Sequence, residues 1–341
     1  MKRRLLGVID ATYSAELEEL IIDRSLAAVP FAGRYRLIDF ILSSMVNSGI
    51  KKVALFPQYQ YRSLMDHLGS GRNWDLNRKR DGIFLFPPQI LDTPHTGTGS
   101  FNQFAANIGF FSRSTQEYSL IANCFTVANM DFRKILKSHI DSGCDITEIR
   151  QEGKSLDMYL VKTSLLIELI CNRDKTGFTC MCDVVNSLSH DYKVCYYHYS
   201  DYAVMIDSVK KYYTTSMELL KPAIWKKLFI KDQPIFTKVM DEPPTRYAQG
   251  ASIQNSMIAN GCQIGGKIEN SIIARGVKIG KNTLIKNSVI LQKCEIADDC
   301  KLENVILDKD VYIESGRIIR ATVDSPVVIR KDKIQGALMN S

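Results

Sequence analysis

The sequence predicts an α/β sheet domain over residues 1–235, a linker at 236–250 and a parallel β-helix over 251–341. Two observations carry this. The first two thirds alternate strand-length apolar runs with helical periodicities, the pattern of a sheet covered by helices. From residue 251 the helical period disappears, and short aliphatic marks recur at a fixed step.

In the first part "RLLGVI" (4–9), "KKVALF" (51–56), "YSLIANCFTV" (118–127), "DMYLVK" (157–162) and "YKVCYYHY" (192–199) have the branched and aromatic content of strands. Helices are expected at 37–48, 60–69, 132–142, 163–171 and 207–220. Residues 232–247, "DQPIFTKVMDEPPTRY", carry prolines at 234, 243 and 244 and read as the connection to the second part.

In the second part the triplets Ile253/Ile258/Ile264, Ile268/Ile273/Ile279, Ile285/Ile290/Ile296 and Leu302/Leu307/Ile313 repeat with steps of 15, 17 and 17 residues (253 to 268, 268 to 285, 285 to 302). Asn270, Asn287 and Asn304 keep the same register. Three inward aliphatics per coil fit a three-sided β-helix, each worth roughly 1.5–3 kcal/mol when fully buried. A lone coil cannot bury its marks, so about four must stack. Many such hexapeptide repeats carry acyl transfer, but no histidine lies between Ala251 and Ser341 to act as a base, which favours a structural and assembly role.

With 45% hydrophobic and 24% charged residues in 341, the composition is that of an ordinary folded protein. No apolar run approaches the roughly 20 residues that span a bilayer. The start, Met1-Lys2-Arg3-Arg4 before a strand-length run, lacks a cleavage site, so a soluble, unexported chain is expected. The nine scattered cysteines suggest free thiols in a reducing, cytoplasmic setting. Cys180, Cys182, His190, Cys195 and His198 raise the thought of zinc, but Cys-x-Cys is tighter than usual ligand spacing and no metal site is assigned. The net charge of +7 is spread without a nucleic-acid motif, and the densest run, "NRKRDG" at 77–82, reads as a solvated loop.

The turn after the first strand offers Asp10, Ala11, Thr12 and Tyr13. Doubly wound proteins commonly use glycines there to bring backbone N–H groups to a phosphate. The surrounding residues resemble a family: "AAVPFAGRYRLIDFILSSMVNSGI" (27–50), "QYQYRSLMDHL" (58–68), "IDSVKKYYTTSMELL" (206–220) and "PIFTKVMDEPPTRY" are similar to ADP-glucose pyrophosphorylases, the glucose-1-phosphate adenylyltransferases of bacterial glycogen synthesis. Within that family the resemblance is closest to the divergent GlgD-type subunits, and it covers nearly the whole chain. It implies a Rossmann-like nucleotidyltransferase domain followed by a left-handed, hexapeptide-repeat β-helix.

Active members of the family join ATP and glucose 1-phosphate, using a Gly-Gly-x-Gly-Thr-Arg loop on the triphosphate and two aspartates on magnesium. In the register of the resemblance, that loop falls on Ala11, Thr12, Tyr13, Ser14, Ala15 and Glu16, so Glu16 stands where the arginine belongs. Leu26, within "RSLAA", matches the lysine of the Arg-Ala-Lys-Pro-Ala motif. Phe125 and Tyr202 take the places of the two metal aspartates, and neighbouring Asp201 could serve only after a one-residue slip, which turns a strand residue to the other face. The segment that holds the sugar phosphate is missing from "ITEIRQEGKSLDMYLVK". "HTGTGS" at 95–100 resembles the family's base-binding Gly-Thr-Ala-Asp loop with Ser100 at the acidic position, so residual nucleotide binding stays open.

The resemblance thus implies a degenerate site with no catalytic residue and no cofactor, magnesium being expected only in a catalytic partner. Arg34 aligns with a basic residue that contacts sugar-phosphate effectors in some members, and Arg330 lies in a tail similar to one supplying a second contact; surface ion pairing would explain both equally well. The expected partner is a homologous catalytic subunit in a heterotetramer, with a sugar-phosphate or nucleotide effector as candidate ligand, and neither nucleic acid nor membrane. The alternative is an active nucleotidyltransferase with altered substrate or a relocated site.

Overall fold

The computed structural model describes residues 5–12, 17–88, 97–187, 191–330 and 334–335. Strand β1 (Leu5–Ala11) is an interior strand of the first sheet. It is followed by β2 (Lys52–Pro57), β3 (Gly82–Leu85), β4 (Tyr118–Asn123), a short β5 (Thr126–Ala128), β6 (Ile146–Gln151), β7 (Lys154–Lys162), β8 (Val194–His198) and β9 (Ala203–Met205). Seven of them form one sheet in the order β8-β6-β7-β4-β1-β2-β3. Strands β3, β2, β1 and β4 run parallel, while β7 is antiparallel to both β4 and β6. The strand order reverses between β1 and β4, and in open α/β sheets ligands bind beyond the carboxyl ends of such a pair.

Side-chain alternation along β1 assigns its two faces. Leu5, Ile9 and Ala11 enter one core and Leu6 and Val8 the other. The first core is covered by α1 (Leu37–Asn47), α2 (Arg62–Leu68), α5 (Phe132–Ser142) and α8 (Val209–Glu218). The second is covered by α3 (Phe101–Ala106), α4 (Ile108–Ser112), α6 (Thr163–Thr176) and α7 (Met181–Asn186). Helix α9 (Pro222–Leu228) begins on a proline, whose missing N–H costs nothing at a helix start. Helix α1 is buried almost all round, from Leu37 to Met45, so its polar Asp39, Ser43 and Ser44 are buried along with its apolar residues. Its serines bind outwards: Ser44 Oγ accepts the Met130 N–H (3.1 Å), and Ser43 Oγ accepts the Phe236 N–H (2.8 Å).

The expected helices and strands are present with ends shifted by a few residues, except that the 118–127 run is divided into β4 and β5. Strands β3, β6 and β9 and helices α3, α4, α7 and α9 are additions; each has seven residues or fewer, too few to display a clear period. One expectation fails. Cys144 and Cys195 form a disulfide, leaving seven cysteines free rather than nine. They are 51 residues apart in sequence, and parallel pairing of β6 with β8 brings them together, a proximity the scattered spacing conceals.

In the second part the predicted register is realised rung by rung. Ile253, Ile268, Ile285 and Leu302 pair in succession in one parallel sheet, Ile258, Ile273, Ile290 and Leu307 in another, and Ile264, Ile279, Ile296 and Ile313 in the third. From Ile264 onwards these side chains are buried. Asn255, Asn270, Asn287 and Asn304 turn one corner with φ of 42°, 46°, 46° and 56°, a left-handed conformation asparagine tolerates better than most residues. Beside them Ser256, Ser271 and Ser288 each accept the N–H one coil further on, at 3.1, 3.1 and 3.2 Å. The stack begins earlier than residue 251, because Arg246–Tyr247 already pairs in parallel with Gln263–Ile264. A two-residue strand just after Pro243-Pro244 leaves no periodic mark in the sequence.

The two parts are locked together. Arg24 holds Asp308 of the β-helix through two hydrogen bonds of 2.8 and 2.9 Å, with both side chains almost wholly buried. The Tyr213 hydroxyl donates to the Asn287 carbonyl (2.7 Å), and Val289, Leu291 and Ile306 belong to the same core as α1.

Candidate functional site

Two places merit a functional reading: the carboxyl ends of β1 and β4, and a cleft where the sheet domain meets the β-helix.

At the first, Asp10 points to the α3 face of the sheet and is buried. Its Oδ2 accepts the N–H groups of Gly99 (2.6 Å) and Ser100 (3.1 Å), and its Oδ1 accepts that of Thr12 (2.9 Å). A protein carboxylate therefore occupies backbone donors of the turn leading into α3. Asp157, on β7, holds the same turn through the Thr98 hydroxyl (2.8 Å) and also accepts from the Tyr159 hydroxyl (2.7 Å); burial raises its pKa above the usual carboxylate range. Neither aspartate is legible as a site residue in the sequence, since their partners lie far along the chain.

Leu26 and Phe125 lie in the hydrophobic core beneath this site, and the Tyr202 ring packs against the same core. Phe125 is 1% exposed. Its N–H donates to Asn123 Oδ1 (3.1 Å), which also accepts the N–H of Thr126 (2.9 Å), so the segment after β4 is closed on itself. Burial, and then the Glu218 carboxylate, raise the pKa of the Tyr202 phenol. Asp201 is exposed, with its carbonyl accepting from the Gln151 side chain (2.6 Å). Glu16, Tyr13, Ser14 and Ala15 lie outside the described residues, as do His95 and Thr96. Strands β6 and β7 are joined by Glu152–Gly153 alone, with φ of 48° and 80°, the two-residue hairpin turn expected where the sugar-phosphate segment is missing.

The cleft has a volume of about 360 Å³ and is lined by seven basic side chains (Arg24, Arg34, Arg36, Lys238, Arg275, Lys293, Lys309) against four carboxylates (Asp23, Asp66, Glu242, Asp310). Arg36 is braced by Ser63, donating to its carbonyl and hydroxyl oxygens at 2.8 Å each. Arg275 donates to the Arg34 carbonyl (3.3 Å) across the junction. Burial, followed by the neighbouring guanidinium groups of Arg36 and Arg24, lowers the Lys309 pKa to about 7. Burial likewise lowers that of Arg36 to about 10. Crowded and partly desolvated cations of this kind favour a multiply charged anion between them. Arg34 lines the cleft. Arg330 does not; it is exposed, just past Ile329, which pairs with Leu307. The other basic residues went unrecognised because they are scattered from position 24 to position 309 and converge only through the fold.

Comparison with known proteins agrees with this architecture. Residues 16–154 match the family described as nucleotidyl transferase, and residues 241–331 the one described as GlmU-like, C-terminal hexapeptide. The chain is 50% identical over 339 residues to the glycogen biosynthesis protein GlgD of Bacillus subtilis (strain 168), covering 99% of each. It is a member of the GlgD family. The GlgD protein of Geobacillus stearothermophilus is 54% identical over 342 residues, with full coverage of both chains. A glucose-1-phosphate adenylyltransferase of Bacillus anthracis is 28% identical over 361 aligned positions, covering 94% of this chain and 96% of its own. The family matches thus give this chain a nucleotidyltransferase domain followed by a left-handed, hexapeptide-repeat β-helix. Among the described residues no helix is long and apolar enough to cross a membrane.

Proposed function

We propose that this GlgD-family chain is a catalytically inactive, cytoplasmic regulatory subunit of glucose-1-phosphate adenylyltransferase, acting on a homologous catalytic subunit within a heterotetramer. The observation that carries the reading is the conversion of charged positions to core: Leu26, Phe125 and Tyr202 contribute to or pack on one apolar cluster where the family resemblance puts a lysine and two metal-binding aspartates. Phosphoryl transfer depends on charge neutralisation, and an apolar cluster supplies none. The altered-enzyme alternative needs an open nucleotide site, whereas at the turn that the resemblance puts near the nucleotide base the Gly99 and Ser100 N–H groups are engaged by Asp10. Magnesium then belongs to the partner. The basic cleft supports an anionic effector, a sugar phosphate or nucleotide, as the input of this subunit.

The test is the purified chain alone with ATP, magnesium and glucose 1-phosphate. The expected outcome is no pyrophosphate release above a protein-free blank. Magnesium-dependent turnover clearly above that blank returns the altered-enzyme reading.

A further inference from the structure

Helix α7 carries a cluster that neither the degenerate site nor the cleft uses. Cys180 is its N-cap residue, and Cys182 and Asp183 stand in its first turn. The two sulfurs and a carboxylate oxygen of Asp183 all lie within 4.8 Å of one another. Asp183 Oδ2 accepts the Thr179 N–H and hydroxyl (2.7 Å each) and the Cys180 N–H (3.2 Å), while Oδ1 stands 3.8 Å from Cys182 Sγ. The carboxylate is thus oriented by one oxygen and presents the other to the thiols.

One further contact bounds the cluster. The opposite wall is Gly97, where a Cβ would collide with both sulfurs. The cluster also sits on a seam: Met181 N–H donates to the Thr98 carbonyl (3.3 Å) and Phe101 N–H to the Thr179 carbonyl (2.9 Å). Of the five residues whose types suggest zinc in the sequence, Cys195 is tied in a disulfide and His190 lies outside the described residues. The tight Cys-x-Cys spacing is overcome because the helix start adds an oxygen ligand at the next position.

We propose that Cys180, Cys182 and Asp183 bind a divalent cation of the zinc class at the start of α7, beside the 97–101 segment. Two thiolates and one carboxylate suit zinc, with Zn–S of about 2.3 Å and Zn–O of about 2.0–2.2 Å, reached by drawing the ligand atoms together by about 1 Å. The fourth tetrahedral position is left for water. Binding releases the two thiol protons, so uptake strengthens as pH rises. The inference is independent of the regulatory reading.

The experiment titrates zinc, and separately cobalt as a spectroscopic probe, into the full-length chain after chelator stripping under a phosphine reductant. The expected result is uptake of one equivalent, a thiolate-to-cobalt charge-transfer band, and a zinc-dependent rise in melting temperature. Cys182→Ser, a change at a partly exposed position, should weaken uptake by at least about tenfold and abolish the band. Asp183→Asn keeps an oxygen to cap the helix and should weaken uptake while the fold, read by circular dichroism, is unchanged. Cys171→Ser, at an exposed cysteine on α6, should bind as the unaltered chain does. No stoichiometric uptake by the unaltered chain, or equal uptake by Cys182→Ser, overturns the proposal.

Discussion

Phe125 fills with an aromatic ring the place where the family resemblance puts a metal-binding carboxylate, and its surroundings have become apolar with it. Phe125→Asp should therefore restore no turnover. It should lower stability by at least about 3–5 kcal/mol in urea unfolding, the loss typical of deleting a buried phenylalanine, with the desolvation of a carboxylate added. Lys309 leads to a second residue-scale expectation. Its pKa lies at about 7, held down by burial and the neighbouring guanidinium groups, and an anion bound beside it raises it, so binding takes up a proton. Affinity for inorganic pyrophosphate, read by calorimetry, should be strongest below pH 7 and fall as pH rises above it; Lys309→Met should flatten that dependence. Leu26 and Phe125 were legible in the sequence because a neighbouring motif fixes each register. Asp10 was not, since its carboxylate acts on Gly99 and Ser100, 89 and 90 residues away.

At the scale of elements, the β-helix was the most legible part, because every coil must place one inward aliphatic on each of its three sides and the constraint is written in the chain as a period. Ile279 stacks between Ile264 and Ile296. Ile279→Ala should cost roughly 2–5 kcal/mol by thermal or urea unfolding, and Ile279→Asp, which buries an unpaired carboxylate in the column, should prevent recovery of soluble assembled protein. Long helices such as α1 and α5 were equally readable. The short α3 and α7 were not, although they carry the turn that Asp10 grips and the cysteine pair. Their few residues are held by contacts with distant segments, such as the Phe101 N–H on the Thr179 carbonyl, rather than by their own propensity.

At the scale of the molecule, the buried Arg24–Asp308 pair makes the sheet domain and the β-helix one mechanical unit, with the basic cleft at their junction. Removing one partner leaves a buried charge uncompensated, so Arg24→Ala should destabilise the chain by roughly 3–5 kcal/mol and loosen the cleft as well. The junction joins residues 284 apart in sequence, which is why neither the pair nor the cleft could be read beforehand. On the proposed reading, a chain with both parts joined in one unit, and with Leu26, Phe125 and Tyr202 in or against the core, acts by biasing a partner between states, and couplings of this kind amount to about 1–3 kcal/mol. The most direct measurement is the saturation kinetics of a homologous adenylyltransferase with an intact Gly-Gly-x-Gly-Thr-Arg loop, with and without equimolar addition of this chain. The account predicts that the two co-purify and that the partner's apparent substrate affinity or turnover shifts by roughly fivefold or more; separately tagged chains that elute apart, with the partner's curve unmoved, would contradict it.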